Sequence, residues 1–201
     1  MTCRILLLLT ALPLITGNLS ATDSPAEQRL KASVDQVVTV AKNAKDRDTL
    51  ITGVKPILES ILSFETMTRR AVGPGWKLFS PEQQKEAVRL FTVLILRTYT
   101  AKFTPGEYPS VVYKPSSTPS PGRVEIPTTA LYKGNRYDVV YRVEDKANGQ
   151  QGGPGEWLIT DVVIEGVSMV GSYRSQFDSE FKQGGAGAVL LALQRSVSET
   201  K

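Results

Sequence analysis

The sequence contains no histidine, and its only cysteine is Cys3. The missing histidine removes the most common general base, the Ser–His nucleophilic pair and the most common protein metal ligand. With no cysteine after position 3, structural disulfides, thiol catalysis and cysteine-ligated zinc are excluded for the rest of the chain. These absences exclude whole classes of reaction before any motif is considered.

The chain also has little excess charge. It carries 24 Lys and Arg against 20 Asp and Glu, a formal net charge of +4. The basic residues do not alternate with aromatic ones in the pattern typical of nucleic-acid binding, so no nucleic-acid partner is expected. The mild basicity favours an anionic membrane surface or lipid headgroup, although ordinary solubility charge explains it equally well.

One long apolar run stands near the start of the chain. Residues 5–15 follow the basic Arg4, are broken only by Thr10 and Pro13, and precede small and polar residues up to Ala21. This pattern predicts a secretion signal over residues 1–21, because the run is too short to cross a bilayer. An uncleaved N-terminal anchor is the alternative. Residues 22–201 are expected to form a single domain.

Apolar periodicity predicts helices in the first half of that domain. They span residues 26–44, residues 50–62 with a break or kink at Pro56, residues 64–72, and a segment that follows Ser80. Ser80, Pro81 and Gln83 have the spacing of a capping box. From residue 87 to 99 this last helix is apolar over about half its circumference, which indicates a plain core or a wall of an apolar cavity.

A proline-rich connector, residues 104–122 with a short strand at 111–113, leads into three predicted strands. They cover residues 123–132, 137–144 and 157–165, and their short turns make the sheet antiparallel. Pro127 suggests an edge position or a bulge. The third strand has Leu158, Val162 and Ile164 on one face and Trp157, Ile159 and Val163 on the other, which predicts a central strand.

Two more helices are predicted after Gly166, at residues 172–182 and 188–197, separated by the glycine-rich segment 184–187. That segment lacks the lysine and hydroxyl spacing of a phosphate loop, so it is interpreted as a helix break. Helices, then strands, then helices indicate an α+β domain.

Charged residues near the third strand offer little chemistry. Asp161 and Glu165 could serve as a general acid and base or bind a metal, but a hydrogen-bonded structural role fits them better without a histidine or further acidic cluster. Arg174 could pair with either carboxylate or bind a lipid phosphate. No catalytic and no metal-binding residue is predicted.

The run WLITDVVIEGVSMV at 157–170, followed by YRSQF at 173–177, resembles the signature of the MlaC / toluene-tolerance family. Segments 64–69, 80–84 and 96–99, together with Gly73 and Trp76, are similar to the helical half of that family in order and spacing. The resemblance covers residues 26–197. Its departures are Glu65, where many members carry Asp, and the Gly-Pro-Gly at 73–75.

The resemblance implies helices around a twisted antiparallel sheet that encloses an apolar cavity. It implies a monomeric periplasmic phospholipid carrier of the Mla pathway, an auxiliary component of an ABC transporter. Such a carrier shuttles lipid between an inner-membrane ABC/MCE complex and an outer-membrane lipoprotein complex, and so maintains outer-membrane lipid asymmetry. Phospholipid is the cargo, and neither a cofactor nor covalent chemistry is implied.

The family binds lipid through apolar walls, so helix and strand facing was used to choose wall candidates. They are Phe91, Leu94, Ile95, Tyr99, Val139, Tyr141, Trp157, Ile159, Val163 and Met169. Two alternatives stay open. One is a carrier of another lipid, such as a hopanoid or sterol-like molecule. The other is a small α+β isomerase or hydratase with Asp161 or Glu165 as a base in the apolar chamber, where burial raises a carboxyl pKa.

Overall fold

Helices occupy both ends of the described chain and strands occupy its middle. The computed structural model describes residues 23–102, 104–146 and 156–200. The expected signal segment 1–21, which includes Cys3, lies outside the described residues. So does the segment 148–155, whose glycines predict a hairpin loop. The helices are α1 (Pro25–Asn43), α2 (Arg47–Ile61), α3 (Phe64–Val72), a short 3-10 helix (Gly73–Leu78), α4 (Pro81–Thr100) and α5 (Met169–Glu199). The strands are β1 (Ser110–Tyr113), β2 (Ser117–Ser120), β3 (Arg123–Tyr132), β4 (Asn135–Asp145), β5 (Trp157–Ile164) and β6 (Val167–Ser168).

This order is α+β, as predicted. Within the described ranges, no helix combines the length and the apolar character that crossing a membrane requires.

Capping residues determine where the helices begin and end. The Gln83 amide donates to the Ser80 hydroxyl, and the Gln83 side chain accepts from the Ser80 amide, which confirms the predicted capping box of α4. Helix α3 has the predicted bounds. It ends because Gly73 takes a φ of 72°, in the left-handed region that favours glycine.

Helix α2 runs through Pro56 without interruption, so the predicted break there is wrong. A proline inside a helix costs about 3 kcal/mol or more, because it removes one hydrogen bond and crowds the preceding turn. Here Leu50 and Val54 before the proline and Ile61 after it are all buried. Packing on both sides of Pro56 therefore outweighs the lost hydrogen bond.

Among the described residues, every pair of neighbouring strands is antiparallel. The sheet order is β1-β3-β4-β5-β6, and β2 also pairs with β3. Strand β3 is thus flanked on both sides, and the predicted edge position for Pro127 is wrong. The Lys114 amide donates to the Pro127 carbonyl at 2.9 Å, but Pro127 has no N–H to return. Pro127 lies between the part of β3 that pairs with β1 and the part that pairs with β2, so no strand on that side requires an N–H from it.

Strand β5 contains a β-bulge at Thr160. Arg142 of β4 pairs with Asp161 and Val143 pairs with Ile159, so Thr160 has no partner in β4. One extra residue reverses the side-chain alternation beyond it. The face that carries Tyr141 and Val143 therefore also carries Trp157, Ile159, Val162 and Ile164, and the other face carries Leu158, Asp161 and Val163.

This bulge corrects the predicted faces of β5, which assumed unbroken alternation. Strand β5 has the predicted position between two other strands, with β4 on one side and the two-residue β6 on the other. Both faces of β5 are largely buried. The chain after α2 lies along its free edge, where the Ser63 amide donates to the Ile159 carbonyl at 2.9 Å.

Two large apolar clusters form most of the core of the described residues. The inner face of the sheet, defined by Val124, Ile126, Val143 and Ile159, packs on Ala26 and Leu30 of α1 and on Ile61 of α2. A second cluster joins α3, α4 and α5 beyond β5 and contains Phe91 and Phe177 at its centre. Their rings meet edge to face, with centroids 6.2 Å apart.

Helix α5 is broken at the predicted glycine-rich segment. Gly184 and Gly185 have non-helical backbone angles, and Gly185 has a φ of 61°. Residues Val189 and Leu193, beyond the break, are fully buried against the helical cluster. The glycines thus turn the end of α5 back onto the core, which confirms their interpretation as a helix break.

Asp161 anchors the start of α5 to the sheet. Its buried carboxylate accepts hydrogen bonds from the Ser168 hydroxyl at 2.6 Å and from the Val170 amide at 3.1 Å. It also accepts one from the Arg142 guanidinium at 2.9 Å. Ser168 is itself the N-cap of α5 and accepts from the Gly171 amide. One carboxylate therefore ties β4, β5 and α5 together.

Replacing this carboxylate should destabilise the whole domain. In Asp161→Ala the buried Val170 amide and the Ser168 hydroxyl lose their acceptor, so the free energy of unfolding should fall by about 2–4 kcal/mol. The matched control is Asp178→Ala on α5, because Asp178 pairs with Lys182 on an exposed helix face and should cost about 0.5 kcal/mol or less. Urea denaturation measures both, and equal losses would contradict the anchoring role.

Candidate binding cavity

An apolar cavity of about 160 Å³ lies between the α1–α2 hairpin and the inner face of the sheet. Its helical wall comes from one side of α1 and the second half of α2, and its sheet wall comes from β1, β3, β4 and β5. The lining residues are Leu30, Ser33, Val34, Val37, Val38, Ile57, Leu58, Ile61, Pro109, Val111, Ala130, Tyr141 and Ile159. Eleven of these thirteen residues are apolar, and none is charged, so the cavity suits an uncharged aliphatic ligand.

The α1–α2 hairpin holds itself together near its turn, where Val37 and Leu58 of the cavity lining also pack. Ala41, Ala44, Leu50 and Val54 form a small apolar cluster between the two helices. Gly53 lets them approach closely, because a Cβ at this position would lie 2.6 Å from the Val40 Cγ1. The hairpin thus forms the helical wall as one packed unit.

The structure places only two of the ten predicted wall residues at this cavity, namely Tyr141 and Ile159. Trp157 packs in the same inner-face cluster. Phe91, Leu94, Ile95 and Met169 belong to the α3–α4–α5 cluster, and Tyr99 packs against it. Val139 is buried on the inner face, where it pairs with Ile164, whereas Val163 lies on the opposite face because of the bulge.

The helical wall of the cavity was missed because α1 was read as an ordinary amphipathic helix. Leu30, Val34 and Val37 follow the helical repeat along one face of α1, and this apolar stripe is the signal in the sequence that points to the wall. In the structure Leu30 is buried in the core, whereas Val34, Val37 and Val38 keep partial exposure. Partial exposure along an apolar stripe distinguishes a cavity wall from a filled core.

The candidate acidic residues have structural roles. Asp161 is fully hydrogen-bonded as the anchor of α5, and the Glu165 carboxylate accepts from the Asp138 amide beside the turn to β6. Neither of them lines the apolar cavity. Arg174 is exposed with its guanidinium over Gly73, 3.2 Å from where a Cβ would lie. Within the described part of the chain, no group of three acidic, histidine or cysteine side chains could hold a metal ion.

Two tyrosine hydroxyls lie close to the cavity in apolar surroundings. Tyr141 lines the cavity, and Tyr113 packs on the same inner face from β1, with a buried hydroxyl that has no hydrogen-bond partner among the described residues. Burial raises the pKa of both tyrosines, because an ionised phenolate is poorly solvated there.

An α+β fold with an apolar cavity between a helical hairpin and a sheet defines the structural class of this protein. Residues 31–195 match the sequence model of the family described as MlaC protein, so the chain belongs to the MlaC family. This match confirms the resemblance seen in the sequence. No curated protein matches the chain.

A solved structure of the same fold comes from Ralstonia solanacearum and is described as a phospholipid-binding protein in complex with a phospholipid. It is 24% identical to this chain and aligns with a TM-score of 0.77, covering 88% of this chain and 99% of that one. At this identity the likeness establishes the α+β fold.

Alkaline titration tests the burial of Tyr141. A pKa raised on folding stabilises the protein fully below the unfolded tyrosine pKa of about 10, and this contribution is lost as the pH rises above that value. We therefore expect Tyr141→Phe to lose less unfolding free energy than the parent protein between about pH 9 and pH 11. Denaturant unfolding at each pH measures the effect. Tyr137→Phe, at an exposed position on the same strand and face, should follow the parent curve, and identical curves for both variants would contradict the prediction.

Proposed function

We propose that this protein is a phospholipid carrier that holds acyl chains in the cavity between the α1–α2 hairpin and the sheet. The observation that carries the proposal is an uncharged cavity lined almost wholly by aliphatic side chains, in a chain of the MlaC family. Support also comes from the related Ralstonia solanacearum structure, which is described with a bound phospholipid.

The energetics favour such a cargo. Each buried methylene gains about 0.8 kcal/mol, so two acyl chains with roughly 30 methylenes gain on the order of 20 kcal/mol before the costs of ordering are subtracted. The cavity needs no charged residue for this, because the gain comes from the chains and not from the headgroup.

The cavity must widen to admit a diacyl lipid. Its volume of about 160 Å³ is below the roughly 300–1,000 Å³ of pockets that hold drug-sized ligands. The hairpin forms one complete wall and is packed as a unit, whereas α3, α4 and α5 form their own core. Displacement of the hairpin from the sheet therefore enlarges the cavity, at the cost of the contacts that Leu30 and Ile61 make with the inner face.

We further propose that the carrier works in the periplasm after export by the 1–21 segment. There it shuttles lipid between an inner-membrane ABC/MCE complex and an outer-membrane lipoprotein complex, and so maintains outer-membrane asymmetry. In this proposal it acts as a monomer, without cofactor or covalent chemistry. The hydrogen-bonded roles of Asp161 and Glu165 favour a carrier over an isomerase or hydratase.

Native mass spectrometry of the protein purified from cells tests the carrier function. We expect a co-purified phospholipid, identified after release by its mass and fragments. A hopanoid or sterol-like molecule in its place would establish the alternative cargo. Protein that carries no lipid and extracts none from phospholipid vesicles would refute the proposal.

Substitutions at two neighbouring residues of β1 test whether the lipid binds in this cavity. Val111 lines the cavity, whereas Val112 points to the other face and is 55% exposed. Val111→Trp should fill the cavity and lower the amount of co-purified lipid at least about fivefold, since even 1 kcal/mol of lost burial corresponds to that factor. Val112→Trp, the matched control, should retain lipid at the parent level. Equal lipid content in the two variants would place the cargo elsewhere.

A further inference from the structure

Two hydroxyl groups interrupt the otherwise apolar lining of the cavity. Ser33 stands on the α1 wall, and Tyr141 stands on the sheet wall. Neither side chain has a hydrogen-bond partner among the described residues. Neither hydroxyl is among the buried groups without a partner, so solvent reaches both in the free protein. A ligand that fills the cavity removes that solvent and must offer a polar atom in its place, because an unpaired hydroxyl in apolar surroundings is costly.

The position of Tyr141 in the sheet places its side chain on the inner face, where it lines the cavity. Tyr141 pairs with Ile126 of β3 and with Val162 of β5, and Ile126 is completely buried. Tyr113 lies across β3 on the same face, with its own hydroxyl buried and unpaired among the described residues. The inner face therefore carries a small polar site within an aliphatic surface.

The chemistry of this polar site selects a neutral acceptor. No charged side chain lines the cavity. The Lys31 ammonium stands 5.1 Å from the centroid of the Tyr113 ring, but it is already paired with Asp23 at 2.6 Å. A phosphate drawn in among these residues would therefore lack a free counter-charge and would pay a large desolvation cost. A tyrosine hydroxyl offers one O–H donor to a carbonyl oxygen. In a phospholipid, the neutral acceptors that accompany the acyl chains are the ester carbonyls that join them to glycerol.

We propose that Tyr141, assisted by Ser33, donates a hydrogen bond to an acyl ester carbonyl of the bound lipid and makes the carrier selective for ester-linked lipids. This inference rests on the proposed carrier function and identifies the chemical group that the same cavity recognises. A ligand without that carbonyl displaces water from the hydroxyls and leaves them unpaired, which disfavours it.

A competition between matched lipids tests the proposal. The full chain is equilibrated with vesicles that contain equal amounts of a diacyl phosphatidylethanolamine and its dialkyl ether analogue, which has the same headgroup and chain lengths but no ester carbonyl. Native mass spectrometry gives the ratio of the two bound lipids. One net hydrogen bond corresponds to about 3- to 10-fold, so the parent protein should favour the diester by about that factor.

Tyr141→Phe should bring that ratio close to one, and Ser33→Ala should lower it part of the way. Tyr137→Phe, on the same strand and face but 37% exposed, is the control that should keep the parent ratio. A ratio near one in the parent protein, or an equal preference in the parent and Tyr141→Phe, would overturn the proposal. An equal preference in the parent and Tyr141→Phe is also the result expected if the Tyr141 hydroxyl contacts the headgroup. The two lipids have the same headgroup, so the substitution would then weaken both equally and leave their ratio unchanged.

Infrared spectroscopy gives a second measurement that does not depend on how well each variant retains lipid. The carbonyl stretching band of the bound diester should lie at lower frequency in the parent protein than in Tyr141→Phe, because a hydrogen bond weakens the C=O bond. Identical bands would overturn the proposal. Complete absence of bound lipid in the parent protein would instead refute the carrier function, so the two failures are distinguishable.

Discussion

The β-bulge at Thr160 is the constraint on which the rest of the structure depends. With one residue unpaired in β5, Ile159 and Val162 reach the same face of the sheet, and Asp161 reaches the opposite one. Ile159 can then close the cavity, while Asp161 receives the N-terminus of α5 and the Arg142 guanidinium. Arg70 of α3 donates to the Thr160 hydroxyl and to Glu144, which holds the bulge against the helical half. The bulge at Thr160 thus determines which side chains of β5 face the cavity and which face the start of α5.

The two cores differ in how completely they are packed, and only the less filled one contains the candidate binding cavity. The α3–α4–α5 cluster is filled with large, fully buried side chains, including Phe91 and Phe177. The space between α1 and the sheet is left partly unfilled, although an apolar cavity costs stability in proportion to its volume. The domain tolerates that cost because its tightly packed region lies elsewhere.

Local signals in the sequence predicted much of this fold. The capping box at Ser80, the bounds of α3 and β3, and the break at Gly184–Gly185 follow from short-range hydrogen bonding and backbone preference. Pro56 and Pro127 were misjudged because tertiary packing and the gap between β1 and β2 compensate for their missing donors. The faces of β5 were misjudged because a bulge leaves no mark in an apolar strand. The cavity wall on α1 has the same apolar stripe as any core helix, and only the folded arrangement shows that nothing fills the space beside it.

An aliphatic cavity wall contributes binding affinity but does not distinguish one lipid from another. The free energy of burying acyl chains scales with the number of methylenes and is nearly the same for every headgroup. Discrimination needs polar atoms, because an unpaired polar group penalises the wrong ligand far more than a missing methylene does. Along this cavity, the described residues offer side-chain polar atoms only at Ser33 and Tyr141. Both stand among the aliphatic lining, so in the proposed complex the polar atoms of this cavity meet the linkage between chain and glycerol, and its described lining offers no charged group to a headgroup.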